Sequence, residues 1–429
     1  MPGQPNPRSV SGDGVCRVAL AGFGTVGRSA TRILCSGLHP GLRLTHIFNR
    51  NVARKKQDWV PGDVIWTENF GDLLASGVDI VVELMGGLHP AGDMLRTALR
   101  AGKSVVTANK QLIAREGPEL MELASSCGAR LEYGASVAGG IPILPALRTG
   151  LCGDQLHTIA GILNGTCNYI LSRVEAARIP FSEALEEAQA RGFAEADASE
   201  DLDGGDARAK LVILALAGLN AYITPESVHA RTIRTIDAVD FDYASDMGCT
   251  IRQVSRAEIQ SDALLAEVGP ALVTVGSPFG RTRSNQNLVL TRGEFAGEMA
   301  FLGAGAGGDP TAVAVVSDVL SLSRSLPAQS TSAASPRIAR PAVSSDFLSP
   351  RYLRFFVKDQ PGIVARLATI LSAHGLNIDA LLQKPGFDKN SLPFVITLEP
   401  CRDSQLQPVL EEMRVLDFSL RDPLALPIL

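Results

Sequence analysis

The feature that most constrains this chain is a glycine-rich turn near its start, Gly22-Phe-Gly-Thr-Val-Gly27. An apolar run precedes the turn and a helical pattern follows it, so it joins a strand to a helix. In such a turn the first glycine permits the bend, the second admits a pyrophosphate, and the third lets helix and strand pack closely. The alternative is a glycine-rich turn without a ligand. The pattern predicts a dinucleotide site formed by Gly22, Phe23, Gly24, Thr25, Val26 and Gly27.

Short apolar runs alternate with helical patterns over residues 15–148. Because strands separated by helices form parallel sheets covered on both faces, this part is predicted to be an α/β, Rossmann-type nucleotide-binding domain. A further helix, expected at about 310–323 and starting after Asp309-Pro310, would complete it. The runs predicted as strands are 17–21, 42–48, 79–84, 104–108 and 130–133.

The rest of the chain divides into three parts. Helical patterns followed by alternating runs over residues 149–309 predict an α+β domain for substrate binding and dimerisation. Residues 324–350 are dense in Ser, Ala, Pro and Arg and are interpreted as a linker. Residues 351–429 are predicted to form a ferredoxin-like βαββαβ domain. Its strands are expected at 351–358, 377–383, 393–399 and 417–420, with helices at 362–374 and 405–414.

Composition excludes several classes of protein. The net charge of −5 does not favour a nucleic-acid partner, and the longest apolar stretch, residues 211–222, is too short to span a bilayer. The first 14 residues lack an apolar segment typical of a secretory signal and are expected to be a disordered tail. Seven cysteines without a C-x-x-C pair indicate reduced thiols in a cytoplasmic protein and imply no metal site.

The end of the second predicted strand bears on the choice of cofactor. Sites that prefer NAD usually carry an acidic residue here, which binds the ribose hydroxyls. This chain has Asn49 and Arg50, followed by the basic residues 54–56. Because an arginine suits a 2′-phosphate, NADP(H) is predicted to be preferred, with NAD(H) left open. A basic surface loop is the alternative.

Lys110 follows a predicted strand and stands in the first turn of a predicted helix. A cation there opposes the helix macrodipole, which is unfavourable unless an anion or a polar ligand lies in front of it. A role beside the nicotinamide or the substrate and an exposed lysine that points away both remain open.

The stretch from Gly192 to Lys210 concentrates carboxylates before a helix that becomes fully apolar. Asp206 and Lys210 are four residues apart and therefore share one helical face. A partly buried lysine can donate a proton, and a neighbouring carboxylate can hold the ammonium group of an amino-acid substrate. The alternative, which the pattern alone favours, is a solvent-side ion pair with Asp203 capping the helix.

Taken in order, these motifs resemble those of homoserine dehydrogenases over residues 15–325. The long Gly192–Lys210 segment and the NGTCNYI motif are the most specific of them. The resemblance is carried by GFGTVG (22–27), VVELMGG (81–87), VVTANK (105–110), ASVAGGIPI (135–143), GILNGTCNYIL (161–171), residues 192–210 and GAGAGGDPTA (303–312).

The resemblance implies the interconversion of L-aspartate 4-semialdehyde and L-homoserine with NAD(P)(H), on the route to threonine, methionine and isoleucine. It implies that Lys210 is the acid/base and that Lys110 lies between cofactor and substrate. The substrate would be held by Glu195, Asp201, Asp206 and Thr166, and the cofactor also by Gly86, Thr107, Lys110 and Gly303.

One position departs from the family pattern. Where relatives commonly have a glutamate that helps to bind a monovalent cation, this chain has Gly134. The remaining ligands would be the backbone carbonyls of Val137, Gly139 and Ile141, so a bound sodium ion is in doubt.

The C-terminal domain resembles an ACT domain in Asp359-Gln-Pro-Gly-Ile363 and His374-Gly-Leu-Asn-Ile378. This implies feedback inhibition by threonine and assembly as a homodimer or homotetramer, whereas a purely structural domain is the alternative. Two other functions were weighed: another semialdehyde or amino-acid dehydrogenase, and a non-catalytic NADP-sensing regulator. The Gly192–Lys210 segment disfavours the first, and the retained Lys110 and Lys210 disfavour the second.

Overall fold

The structure is a computed structural model that describes residues 14–261, 263–325 and 338–429. The tail predicted over residues 1–14 lies outside the described residues apart from Gly14. The helices are α1 Thr25–Leu34, α2 Val52–Lys55, α3 Phe70–Ala75, α4 Ala91–Arg100, α5 Lys110–Ser126, α6 Ile143–Pro145, α7 Gly165–Ala177, α8 Phe181–Ala190, α9 Ser199–Leu202, α10 Gly205–Gly218, α11 Ala238–Asp246, α12 Pro278–Arg281, α13 Gly308–Ser325, α14 Ile363–Ala373 and α15 Asp403–Arg414.

The strands form three separate sheets. They are β1 Cys16–Ala21, β2 Leu42–Phe48, β3 Ile65–Thr67, β4 Ile80–Glu83, β5 Ser104–Thr107, β6 Leu131–Glu132, β7 Leu156–Ile162, β8 His229–Ala230, β9 Cys249–Gln260, β10 Ala263–Thr274, β11 Gln286–Gly293, β12 Gly297–Ala304, β13 Ala342–Ser344, β14 Ser349–Val357, β15 Ile378–Leu382, β16 Leu392–Cys401 and β17 Leu424–Pro427.

The first sheet has the strand order β3-β2-β1-β4-β5-β6, and all its neighbours are parallel. The order reverses direction at β1, which creates a crevice between the carboxyl ends of β1 and β4. This confirms the predicted Rossmann-type domain. The three-residue β3 was not predicted, because it has no clear alternation and Ile65 in it is exposed.

The long helix α13 returns to this first sheet from the second domain. Its buried residues Val315, Val319 and Leu322 pack in one core with Ala30 and Leu34 of α1. The helix begins at Gly308, two residues before the predicted start, so Asp309 lies in its first turn. The Asp309 carboxylate accepts hydrogen bonds from Ser29 and Arg32 of α1 instead of capping its own helix.

A buried carboxyl group lies where α13 meets the turn after β6. The backbone N–H of Gly134 donates to Asp318 Oδ2 over 2.7 Å, and a Cβ at position 134 would come within 2.7 Å of Asp318 Oδ1. Burial, reinforced by the charge of Glu132, raises the pKa of Asp318 to about 7. Position 134 therefore has no room for a larger side chain while Asp318 keeps this place.

The second sheet is mixed, with the order β12-β11-β7-β9-β10-β13, and β8 also pairs with β10. The apolar helix α10 packs against it through residues such as Leu211, Ile213 and Leu214, which are fully buried. Helix α10 therefore joins the two domains, because the same core contains side chains of the first sheet.

The third sheet is antiparallel with the order β15-β16-β14-β17, and helices α14 and α15 pack in its core. This confirms the predicted ACT-like βαββαβ domain. In place of the last strand predicted at 417–420, the structure has a turn that buries Phe418 and makes a single antiparallel bridge, Ser419 with Val357 of β14; the final strand is β17. A single apolar residue in a short polar stretch is compatible with a strand and with a turn, so periodicity could not distinguish the two.

The third domain is attached to the second sheet at two points. Strand β13 pairs in parallel with β10, and the N–H of Leu429 donates to the carbonyl of Leu272 in β10. The interpretation of residues 324–350 as a linker is therefore wrong for 324–325, which end α13, and for 342–344 and 349–350, which belong to strands. Residues 326–337 lie outside the described part of the chain. Among the described helices, none is both long and apolar enough to cross a membrane.

The glycine turn yields a test of packing. Gly27→Ala would place a methyl group against the carbonyl oxygen of Gly22, whereas Gly24→Ala would project into open space. We expect Gly27→Ala to destabilise the protein by about 1–3 kcal/mol, as overpacking does, and Gly24→Ala to leave stability unchanged. Thermal unfolding of both variants measures this, and equal Tm values would contradict the packing argument.

Asp318 yields a test of pH dependence. Since the folded-state pKa of about 7 exceeds the ordinary 3.8, the folded protein binds an extra proton between these values. Its contribution to stability is present at low pH and is lost as the pH rises through 7. Three pKa units correspond to at most about 4 kcal/mol.

We therefore expect Asp318→Asn to gain stability relative to the wild type as the pH rises from 4 to 8. Thermal unfolding across this range measures the difference. The exposed Asp63→Asn controls for the loss of one carboxylate. A constant difference between Asp318→Asn and wild type would show that Asp318 does not titrate in this range.

Candidate active site

A buried carboxylate at the start of α10 lies between two lysines from different elements. Asp206 Oδ1 is 2.6 Å from the Nζ of Lys110, and its Oδ2 is 2.8 Å from the Nζ of Lys210. Burial alone would raise the pKa of the Asp206 carboxyl, but the ammonium groups of Lys210 and Lys110 hold it well below its usual range. Asp206 is therefore ionised at neutral pH and fixes both lysines.

The geometry decides the open question about Lys110. It is the first residue of α5, and its side chain turns towards Asp206 instead of pointing away into solvent. Burial lowers the pKa of its ammonium group, but Asp206 and the more distant Asp201 and Glu200 outweigh burial and raise it. The unfavourable cation at a helix start is thus compensated by carboxylates.

Lys210 is the less exposed of the two lysines. Its side chain is 12% exposed, compared with 38% for Lys110. Its Nζ donates to Asp206 Oδ2 and to the backbone carbonyl of Leu163, each over 2.8 Å. Because an ammonium group has three donors, one N–H remains for a ligand.

Asn164 connects the carboxylates of this cluster. Its Nδ2 donates to Asp201 Oδ1 over 2.6 Å and to Asp206 Oδ2 over 2.8 Å, while its Oδ1 caps α7 by accepting from the N–H of Cys167. Burial raises the pKa of Asp201, and the Asn164 bond opposes this. Nothing in the sequence indicated that Asn164 bridges two carboxylates, because Asp201 and Asp206 are 37 and 42 residues away along the chain.

The solvent-side ion pair with an Asp203 cap, which the pattern alone favoured, is not what the structure shows. Asp206 is buried, and the N-cap of α10 is Gly204 in the left-handed conformation. Asp203 ends α9 and lies 3.3 Å from the Nε of Arg234. The sequence pattern could not separate these alternatives, because the short helix α9 ends and α10 begins within residues 203–205.

Two predicted substrate residues lie at the edge of the cluster. Glu195 is exposed, and its described contact is a hydrogen bond from Gln189 to its backbone carbonyl. The hydroxyl of Thr166 donates to the carbonyl of Phe193 over 2.7 Å. The charge of Glu200, which was not predicted as a site residue, also raises the pKa of Lys110.

A buried asparagine from the second sheet also reaches this region. Asn287 Nδ2 donates to the Leu163 carbonyl over 2.9 Å, the same oxygen that receives Lys210 Nζ. Its Oδ1 is buried without a described partner. Nothing in the local sequence distinguishes Asn287 from other residues of its strand, so sequence reasoning missed it.

The glycine turn has the shape that a pyrophosphate requires. Gly22 has a φ of +107°, and a Cβ there would lie 2.8 Å from the backbone of Leu84. Gly24 has open space around it, and α1 begins at Thr25 without a described side-chain cap. Phe23, in contrast, is buried against Trp66, so only its backbone can face a ligand. The observed turn fits a dinucleotide.

A buried glutamate shapes the second side of the crevice. Glu83, the last residue of β4, accepts from the N–H groups of Met85 and Gly86 and from the hydroxyl of Thr107. It thereby orients two predicted cofactor residues. Glu83 lies in a predicted strand, but this role was not predicted, since a carboxylate inside an apolar run gives no sign of its partners.

Two further predicted cofactor residues, Arg50 and Gly303, lie apart from the glycine turn. Arg50 is exposed in the turn after β2. Gly303 lies in β12, where a Cβ would come within 3.1 Å of the Ile141 side chain. Gly303 thus contributes a close approach between two segments that cross between the domains.

The predicted cation ligands, Val137, Gly139 and Ile141, lie in the first of the two segments that cross between the domains. Ala138 and Gly139 have φ values of 56° and 49°, and the Ile141 carbonyl accepts from the N–H of Ile143. The described residues contain no group of three or more His, Cys, Asp or Glu side chains that could hold a metal ion. At position 134, where relatives commonly have a glutamate, Gly134 supplies no carboxylate for a cation. It donates its backbone N–H to Asp318 instead.

Comparisons with known proteins bear on the identity of this site. A family model described as homoserine dehydrogenase matches residues 142–320, and one described as the homoserine dehydrogenase NAD-binding domain matches residues 22–134. An ACT domain model matches residues 351–418. One of these three matches falls on each of the three domains.

Relatives and solved structures agree with the models. A homoserine dehydrogenase of Synechocystis sp. is 35% identical, covering 96% of this chain and 99% of the relative. The crystal structure of one from Thiobacillus denitrificans is 30% identical with a TM-score of 0.89, covering 96% and 98%. A hyperthermophilic archaeal homoserine dehydrogenase mutant in complex with NADPH is 27% identical with a TM-score of 0.62, covering 72% and 98%.

These matches extend over nearly the whole chain and include the segments that form the lysine and carboxylate cluster. The chain therefore belongs to the homoserine dehydrogenase family of NAD(P)-dependent oxidoreductases that act on a CH–OH group, and it carries a C-terminal ACT domain.

Proposed function

We propose that this chain interconverts L-homoserine and L-aspartate 4-semialdehyde, with NADP(H) preferred over NAD(H) and Lys210 as the acid/base. The observation that carries the proposal is Asp206, which holds Lys110 and Lys210 within 2.8 Å of its two oxygens. The alternative, a non-catalytic NADP-sensing regulator, would not need two lysines fixed in this way.

In the proposed reaction, Lys210 handles the proton at the substrate oxygen. Two of its three N–H donors are used by Asp206 and Leu163, and the third is aimed at the carbonyl oxygen of the semialdehyde. When bound, the nicotinamide supplies the hydride that the aldehyde carbon accepts. Lys210 then gives its proton to the oxygen, and the reverse reaction returns the proton to its amine.

Lys110 contributes positive charge beside the reacting oxygen. Because its ammonium group is held by Asp206, it stabilises negative charge that develops on the oxygen without having to reorient. The chain of Lys110, Asp206 and Lys210 therefore separates two tasks, charge stabilisation by one lysine and proton transfer by the other.

We assign the binding of the substrate ammonium group chiefly to Asp201, with Glu195 and Thr166 as the outer contacts that the family resemblance implies. Asp201 is half-buried, and burial raises the pKa of its carboxyl. An arriving ammonium group would favour the ionised form of Asp201, so substrate binding and ionisation support each other.

We infer the preference for NADP(H) from Arg50 and from the exposed basic residues that follow it. The turn after β2 is where a dinucleotide's adenosine ribose lies in Rossmann domains. Arg54, Lys55 and Lys56 stand in the same exposed segment. The archaeal structure with NADPH supports the proposal as a precedent within the family.

Three finer proposals accompany the reaction. Threonine inhibits the enzyme through the ACT domain, the protein assembles as a homodimer or homotetramer, and a monovalent cation binds weakly if at all. The last follows from Gly134, since a site made of the Val137, Gly139 and Ile141 carbonyls would lack a carboxylate to balance the charge.

The acid/base role of Lys210 can be tested by substitution. We expect Lys210→Ala to lower kcat by about 10²- to 10⁴-fold, the range for loss of a general acid, while NADPH still binds. Lys210→Arg should remain slow, because a guanidinium keeps the charge but does not release a proton at neutral pH.

Steady-state kinetics and NADPH fluorescence titration measure these effects. The exposed Lys358→Ala, in the ACT domain, is the control. Near-normal kcat in Lys210→Arg would assign Lys210 a purely electrostatic role.

Cofactor preference can be tested at Arg50. We expect Arg50→Asp to raise KM for NADPH about tenfold or more, the effect of losing one charge-assisted hydrogen bond, and to leave KM for NADH nearly unchanged. Initial rates with each cofactor provide the measurement. Equal changes for both cofactors would remove Arg50 from the recognition of the 2′-phosphate.

A further inference from the structure

One of the two contacts that hold Lys210 is a backbone carbonyl. The Lys210 Nζ donates to the Leu163 oxygen over 2.8 Å, and its other acceptor is the carboxylate of Asp206. An ammonium group that gives up one proton keeps two N–H bonds, so both contacts can persist while Lys210 transfers its third hydrogen. The direction of the Leu163 carbonyl therefore helps to decide where the transferred hydrogen points.

Asn287 is the second donor to this carbonyl. Its Nδ2 lies 2.9 Å from the Leu163 oxygen. A carbonyl oxygen has two lone pairs, and the hydrogen bonds from Lys210 and Asn287 use both of them. The carbonyl cannot turn without breaking one of these two bonds.

The second sheet places Asn287 beside the carbonyl. Strands β7 and β11 are antiparallel, and their pairing reaches Ile162 opposite Leu288. Leu163 and Asn287 are the next residues beyond this pair, where the paired part of β7 ends. The Asn287 side chain thus supplies a hydrogen bond between the two strands at the point where their backbone pairing stops. The active-site carbonyl is attached in this way to a rigid sheet.

Asn287 has no room to reorient. Its side chain is buried, and a Cβ on Gly305 would overlap its amide group. Gly305 follows β12 and belongs to the segment that leads to α13. Exchanging the two ends of the amide would bring its Oδ1 against the Leu163 oxygen, and two acceptors repel each other. The surroundings therefore favour the orientation in which Nδ2 faces Leu163.

Stability does not explain a polar side chain at this position. The Oδ1 of Asn287 is buried without a partner among the described residues, and an unpaired buried acceptor is unfavourable. A leucine of similar size would avoid this cost, and the Leu163 carbonyl would keep its hydrogen bond from Lys210. What Asn287 adds is the second hydrogen bond, which fixes the direction of the carbonyl.

The neutral charge of the amide also suits this place. Lys110 and Lys210 already bring two positive charges to the carboxylate of Asp206, and Asp201 lies close by. An arginine or lysine as the second donor would add a third positive charge beside Lys210 and favour its deprotonated form. An asparagine supplies the hydrogen bond without changing this balance of charge.

We propose that Asn287 is a positioning residue for the acid/base step. By donating to the Leu163 carbonyl, it aligns Lys210 so that the remaining N–H points to the substrate oxygen. The inference rests on the proposed acid/base role of Lys210. Asn287 has no direct contact with the substrate in this role, so its loss should slow the reaction more than it weakens binding.

The substitution Asn287→Leu in the full-length protein tests the proposal. Without the amide, the Leu163 carbonyl is free to turn and Lys210 loses its alignment. We expect kcat for homoserine oxidation to fall about 10- to 100-fold, up to the cost of a small misplacement of a reacting group. KM for homoserine and Kd for NADPH should stay nearly unchanged. Steady-state kinetics measure the first two quantities, and NADPH fluorescence titration measures Kd and counts the folded sites.

A second substitution distinguishes positioning from general damage to the fold. If Asn287 acts through Lys210, adding Asn287→Leu to Lys210→Ala should lower kcat no further, because no lysine remains to be aligned. A merely structural role would lower kcat by the same factor in both backgrounds. Equal factors in the wild type and in Lys210→Ala would therefore overturn the proposal.

Thr291→Val is the matched control. Thr291 lies four residues further along β11 and is also buried, and the change again replaces a polar side chain by an apolar one of similar size. We expect its kcat and KM to equal those of the wild type. A loss of kcat as large as that in Asn287→Leu would show that any buried substitution in β11 slows the enzyme, and would overturn the proposal.

Circular dichroism verifies the folding of each variant. If Asn287→Leu does not fold, Asn287→Ala takes its place, because a smaller side chain cannot overpack the space beside Gly305.

The design separates this inference from the proposed acid/base role. If Lys210→Ala is slow and Asn287→Leu is as fast as the wild type, the acid/base assignment stands and the positioning role of Asn287 fails. If Asn287→Leu is slow and Lys210→Ala keeps near-normal kcat, the acid/base assignment fails, and the route from Asn287 through Lys210 fails with it.

Discussion

The buried carboxylate of Asp206 is the interaction on which the arrangement of the two catalytic domains depends. It pairs with Lys110 from the dinucleotide domain and with Lys210 from its own helix. An ionised group this deeply buried is tolerated only because both ammonium groups and Asn164 surround it. Movement of α5 away from α10 would remove Lys110 from Asp206 Oδ1 and leave the buried carboxylate with one ammonium group in place of two. The domain arrangement and the electrostatics of the site therefore support each other.

The fold was predictable from the sequence where periodicity and a motif agreed. The glycine turn, five of the six strands of the first sheet and the ACT-like topology follow from local pattern, and α5 begins at Lys110, in the first turn of the predicted helix. Short or irregular elements were not: β3 has three residues, and the turn over residues 417–420 buries Phe418 without being a strand. In both, tertiary packing decides a structure that the local sequence leaves open.

The site was predictable in its charged residues but not in the groups that orient them. Lys110, Asp206 and Lys210 were selected from helix spacing and family resemblance, whereas Asn287 and Glu83 act through contacts across 124 and 24 residues of sequence. Such long-range partners leave no periodic signal. The Asp203 cap failed for a related reason, because the left-handed Gly204 that starts α10 became evident only from the backbone.

Two described segments that cross between the first two domains, around residues 139–140 and 304–305, lie side by side. The N–H of Gly140 donates to the carbonyl of Ala304, and a Cβ on Gly139 would lie 2.7 Å from the Gly305 carbonyl. Two adjacent covalent connections define an axis about which one domain can rotate relative to the other. Rotation of one domain about this axis would disturb these two segments less than lateral sliding of one domain over the other. Gly139 allows the segments to lie this close, because a side chain there would meet the backbone of Gly305.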